Sequence, residues 1–147
     1  MTYYEWVSYI DELKTKPITD DVIKKINTYN FDFPPEVMVR LEDHLLRVIF
    51  DKLGTIRDEL DTEIDKVNSP QELTLLINKI KSTIKDVFKI QKVKSFDTAL
   101  LNELKGDIER YVDDYTTTIK RRYAAVKSSD YAMILNNLNL MEERWTI

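Results

Sequence analysis

Apolar side chains recur along this chain at intervals of three and four residues. Leu101, Leu104, Ile108, Tyr111, Tyr115, Ile119, Tyr123 and Val126 form the longest run. At about 100° per residue they fall on one narrow stripe of a single helix. Leu73, Ile77, Ile80, Ile84 and Val87 repeat the pattern, as do Tyr131, Ile134, Leu138, Met141 and Trp145. The pattern predicts an all-α fold. It is an antiparallel bundle of three long helices, with two short N-terminal helices and one C-terminal helix packed on it, forming one helical-bundle domain over residues 1–147.

Local signals place the ends of the helices. The first is expected from residue 2 to about residue 15, with Tyr3, Trp6, Val7, Ile10 and Leu13 on one face and Pro17 ending it. Thr19 or Asp20 can cap a second, short helix carrying Val22, Ile23 and Ile26. Pro34 and Pro35 disfavour helix at the residues before them, so residues 29–35 read as a loop. Pro35 suits the first position of a third helix. That helix should reach Val67, a length of about 50 Å at ~1.5 Å per residue. Ser69, Pro70 and Glu72 supply the N-cap, first residue and returning carboxylate of a capping box. The fourth helix should end near Lys92. Ser95 is the expected cap of a fifth, from Phe96 to about Lys127, and Ser128 or Ser129 of a sixth, from Asp130 to about Arg144. Connections of two to five residues make successive helices antiparallel.

Gly54 and Gly106 fall inside the third and fifth helices. The apolar stripe keeps its phase across both, so the helices are expected to continue through them, with a kink at Gly54 as the alternative. Before Gly54 the apolar residues wrap more than half the circumference, and the N-terminal helices are the natural cover for the extra side. After Gly54 there is a single stripe, Ile56, Leu60, Ile64 and Val67, which suits a two- or three-helix stalk.

Composition narrows the function classes. A chain of 147 residues with 43% apolar content suits one folded domain, and 2 Gly and 4 Pro suit long helices. The absence of Cys excludes disulfides, thiolate nucleophiles and sulfur-ligated zinc. Residues 1–6 lack a basic and apolar leader pattern, and no apolar run approaches the ~20 residues of a membrane span, so a cytoplasmic protein is expected. The bias toward Lys, Ile, Asn and Asp fits an AT-rich bacterial or phage-like gene. The net charge of −4 provides no global attraction to nucleic acid.

Few residues offer chemistry. His44 is the single histidine, and a Glu-x-x-His pair would need an acid at position 41, which is Leu41. It reads as a surface residue beside the core stripe. Asp58, Glu59, Asp61, Glu63 and Asp65 spread around their helix while Ile56, Leu60 and Ile64 take its inner face, so they read as a solvated surface. Asp107, Asp113 and Asp114 read the same way. There is no Gly-rich phosphate loop and no recognisable nucleophile context. No catalytic, cofactor-binding or metal-ligating residue is assigned, no small-molecule substrate is evident, and an enzyme is not expected.

Two surfaces remain. Met133 and Leu140, seven residues apart, form a second apolar stripe on the last helix, opposite its main one. A helix apolar on two sides is either sandwiched in its own fold or meets a partner. Lys81, Lys85, Lys89 and Lys92 form a basic flank on the fourth helix, able to follow a phosphate backbone or to pair with acids of the third helix. Lys120, Arg121 and Arg122 spread round their helix and make no face. Tyr3, Tyr111, Tyr115, Tyr123 and Tyr131 read as core, each needing a partner for its hydroxyl. The leading expectation is a non-catalytic protein-binding module (an adaptor, inhibitor or regulator) acting through Met133 and Leu140, or self-association there. The alternative is a nucleic-acid-associated protein using the four lysines. Recognition of the C-terminal Trp145-Thr146-Ile147 by a peptide-binding domain is a further, minor reading.

Overall fold

The computed structural model describes residues 1–142. Among them are six α-helices and no strand. They are α1 (Tyr3–Asp11), α2 (Asp20–Ile26), α3 (Pro35–Glu63), α4 (Pro70–Phe88), α5 (Thr98–Arg122) and α6 (Ser129–Asn136). Short 3-10 turns extend α1 over Glu12–Lys14, α3 over Ile64–Lys66 and α4 over Lys89–Lys92, and another occupies Tyr29–Phe31.

Caps explain most of the starts. Thr2 accepts from the Glu5 amide while the Glu5 carboxylate accepts from the Thr2 amide, a complete capping box. Thr19 accepts from the Val22 amide at the start of α2. Pro35 opens α3 as its first residue. Ser69 caps α4 by accepting from the Glu72 amide, but the Glu72 carboxylate closes on the amide of Asn68, one residue earlier than a standard box. At α5 the expected cap is displaced. Asp97, not Ser95, accepts from the Leu100 amide at 2.8 Å. Ser95 instead hydrogen-bonds the hydroxyl of Tyr29.

The C-terminal helix is shorter than its pattern implied. It stops at Asn136, and Arg144 and Trp145 lie outside the described residues. Asparagine side chains offer the backbone non-helical partners. Asn137 donates back to the Met133 carbonyl, and Asn139 accepts from the Met141 amide as the chain turns away.

The pairing of residues fixes the helix directions. Lys79 meets Glu59, so α4 runs back along α3. Tyr115 reaches Leu53, Arg57 meets Thr118, and Arg122 meets Asp65. Both numbers rise together, so α5 runs parallel to α3, as an up-down-up arrangement requires. Ile56, Leu60 and Ile64 are buried, which makes the second half of α3 part of this three-helix bundle. The first half also carries α1, whose Trp6, Ile10 and Leu13 are buried in the same continuous core. Both helices run unbroken through Gly54 and Gly106. Among the described residues no helix is long and apolar enough to cross a membrane.

Candidate functional site

The two faces of interest lie on α4. Its apolar stripe, Leu73, Ile77, Ile80, Ile84 and Val87, is buried. The flanks of that stripe meet α6 on one side and the region of α2 near the far end.

The α6 side forms a groove of about 290 Å³. Ile77, Ile134, Leu138 and Met133 supply its apolar lining, and Asn78, Asn137 and Asn139 its polar one. Met133 is 64% exposed. Leu140 is not its partner on a shared stripe. The seven-residue spacing presupposed a helix through position 140, but α6 ends at Asn136 and Leu140 is 2% exposed, in the core. A neighbouring cavity of about 190 Å³ is lined by Leu140 and Met141 against Lys81, Ile84 and Lys85.

The lysine flank is divided rather than continuous. Lys81 donates to the Glu142 carboxylate at 2.7 Å, and this bond holds the carboxyl below its ordinary range. Lys89 and Lys92 approach the same oxygen of Asp20, at 3.9 and 3.7 Å. Lys85, Lys89 and Lys92 line a cleft of about 320 Å³ with Asp20, Phe88 and Gln91. Lys81 is thus met by the chain after α6, and Lys89 and Lys92 by the first residue of α2. Lys79, off this flank, is a lysine that does meet α3, at 3.4 Å from Glu59. Nothing in the local sequence links Asp20 to Lys89 or Lys92; only the folded path of α2 back to the end of α4 joins them.

Other candidate groups resolve into structural contacts. His44 has a partner that its own helix could not reveal: its Nε2 lies 2.7 Å from Asp11 of α1. The acids of the second half of α3 are spread among separate ion pairs, Asp61 with Arg57, Glu63 with Lys66, and Asp65 with Arg122. Among the described residues no group of three or more His, Asp or Glu is placed to hold a metal ion. A broad open depression of about 520 Å³ lies between α3 and α5, lined by Phe50, Tyr111, Asp107, Asp114 and Arg110. Its carboxylates are paired, Asp107 with Arg110 and Asp114 with Arg57.

Tyr29, Tyr115 and Tyr123 are buried in the core, whereas Tyr4 is exposed. Tyr115 donates to the Leu53 carbonyl and is fully buried. Burial pushes the Tyr29 phenol up to about 12, against the opposing effect of its hydrogen bond with Ser95. Glu42 is also raised by burial, while its hydrogen bond from Ser95 pulls the other way. Tyr123 stacks on Tyr131, with ring centroids 5.2 Å apart, and its buried hydroxyl has no hydrogen-bond partner among the described residues.

Of the residues singled out from the sequence, Lys85, Lys89 and Lys92 are thus brought to one cleft, Lys81 stands apart in an ion pair, and Met133 and Leu140 are separated. Compared with known protein families, curated proteins and solved structures, the chain matches none.

Proposed function

We propose that this chain is a non-catalytic protein-binding module that receives a short segment of a partner protein in the groove between α4 and α6. The observation that carries this reading is the groove itself, apolar at its base and topped by an exposed Met133. A thioether is flexible and polarizable, which suits a surface that closes around a foreign side chain. At about 290 Å³ the space fits an anchoring side chain better than a whole small-molecule ligand.

The chemistry of the rim favours one kind of partner. Three asparagines line the groove, and its lysine, Lys81, is neutralised by Glu142. A segment with one or two bulky apolar anchors, backbone groups and neutral polar neighbours fits such a wall. A strongly charged segment finds no counterpart there. We place this role in the cytoplasm, a location that fractionation of the native host tests.

Selection of peptides from a random displayed library against the purified chain tests the binding role. Peptides sharing an apolar anchor should emerge and bind in solution, and Met133→Asp should weaken them at least tenfold without loss of far-UV helicity. Selected peptides that bind Met133→Asp and the parent chain alike would remove the groove as the site. Concentration-dependent sedimentation abolished by Met133→Asp would instead identify a second copy as the occupant.

A further inference from the structure

Among the described residues, α6 is the helix held least firmly. None of its side chains is buried, whereas α1 to α5 each bury at least two. No described side chain caps its start, while Thr2, Thr19, Ser69 and Asp97 cap α1, α2, α4 and α5. Isolated helices shorter than about 12–15 residues are marginal in water, and α6 has 8. Its order therefore depends on docking, mainly against α4. The docking contacts outside the groove lie at its two ends. Tyr131 stacks on Tyr123 at the start, and Leu140 enters the core past the end.

We propose that residues 129–142 act as a lid, which opens from α4 as one unit and must close again for the groove to hold a partner segment. The gating rests on the peptide-binding reading of the groove; the opening does not.

Lid and groove are inseparable in space. Met133, Ile134 and Leu138 of the lid face Ile77 and Asn78 of α4 across the groove, so an open lid leaves one wall only. Opening is uphill, because it exposes Leu140 and uncovers Ile77 and Ile84. Two effects lower the cost. Residues 129–142 regain backbone freedom. The docked state also strands the Tyr123 hydroxyl, buried with no partner among the described residues beneath the Tyr131 ring. Residues 124–127 are exposed and outside any helix, so the lid can swing on them while α5 stays intact. Elements with few buried contacts open at lower free energy than the core does.

Native-state hydrogen exchange of the intact protein, followed by NMR, tests the opening. Amides of residues 132–137 should exchange together, about a hundredfold or more faster than those of the buried rows of α3 and α5 after correction for intrinsic rates. Ile49→Val, a change within the core row of α3, should speed the α3 and α5 amides and leave those of α6 unchanged, because the open lid leaves Ile49 packed. Tyr131→Ala and Leu140→Ala, neither of which lines the groove, should speed the α6 amides several-fold. Alanine is the best helix former, so acceleration at position 131 reports lost docking. If the α6 amides respond to Ile49→Val as the α3 amides do, the lid is overturned, because α6 then opens only with the whole bundle.

Excess of a library-selected peptide with an apolar anchor tests the gating. Any peptide held by the folded chain alone slows the α3 and α5 amides. One that needs the closed lid slows the α6 amides by the same factor. Slowing in α3 and α5 without slowing in α6 would overturn the gating. If no peptide slows either set, the groove reading falls and the gating with it, and the response to Ile49→Val still decides the opening.

Discussion

The ammonium of Lys52 in α3 donates to the carbonyl oxygen of Leu13 at 2.7 Å. It makes a second bond of the same length to the carbonyl of Lys16. The last carbonyls of a helix have no partner within it and carry the negative end of its dipole. A lysine 39 positions further along the chain serves as the cap. The side chain is only 7% exposed, and burial lowers its pKa while Asp86 partly restores it. Hydrogen bonds from a charged donor contribute about 1.5–3 kcal/mol, and the carbonyls left behind would be partly buried. Lys52→Met, which keeps the apolar stem and removes the donors, should therefore destabilise the protein by about 2–3 kcal/mol. The urea midpoint should fall with an unchanged m-value; an unmoved midpoint would show that this cap contributes nothing.

Tyr115 and Tyr123 make opposite predictions from the same substitution. The Tyr115 hydroxyl is spent on the Leu53 carbonyl inside the core, so Tyr115→Phe should cost about 1–2 kcal/mol. The Tyr123 hydroxyl is buried with no partner among the described residues. Removing it relieves a desolvation penalty, and Tyr123→Phe should be neutral or stabilising by up to about 1 kcal/mol. Paired urea titrations read the difference directly. A comparable loss in both variants would reveal a bond to the Tyr123 hydroxyl.

The bundle was legible because the residues that pack are also the residues that repeat. Leu104, Ile108, Tyr115, Ile119 and Tyr123 are spaced for one helix face and are all buried. Lys52 shows the limit of that logic. It occupies a slot between Val48 and Ile56 on the buried row, so its position signals burial while its charge signals exposure. Its carbonyl partners belong to a different element, which periodicity does not report. The same holds for Asp11 beside His44 and for Asp20 beside Lys89. Leu140 departs for another reason: the apolar spacing continues past Asn137, but the helix ends there, where the Asn137 side chain donates to the Met133 carbonyl.

Alkaline pH should unfold the protein through its phenols. Burial raises Tyr29 to about 12 and raises Tyr9, Tyr115 and Tyr123 as well. An unfolded tyrosine loses its proton near pH 10, before the folded one does. The folded state then holds more protons, so stability falls as pH rises. The contribution is fully present below about pH 10 and is lost as pH passes through the raised values. For Tyr29 alone the shift of about two pKa units corresponds to about 3 kcal/mol. Lys52 acts in the other direction, since its folded pKa is lowered and its contribution grows with pH. One such group does not offset four phenols. Urea midpoints should hold to about pH 10 and then drop, with a smaller drop in Tyr29→Phe. Midpoints that stay level while tyrosinate absorbance rises would contradict the burial of these rings.

Gly54 and Gly106 should both be replaceable with a gain. Each lies inside an α-helix, and neither has a positive φ. A Cβ added at Gly54 would meet nothing within 4 Å, and one at Gly106 would meet only the Arg110 guanidinium at 4.0 Å. No close helix contact requires the missing side chain at either position. What remains is the entropy that glycine loses on entering a helix, about 0.5–1 kcal/mol relative to Ala. Gly54→Ala and Gly106→Ala should each stabilise by about that amount, raising Tm by roughly 2–4 °C per kcal/mol for a chain of this size. The sites lie on different helices and share no neighbour, so the double variant should show the sum. Thermal unfolding decides between this account and a hinge at Gly54. A hinge would show itself as a loss of stability or as altered peptide binding in the Gly54→Ala chain, because alanine would stiffen a backbone that needs to bend.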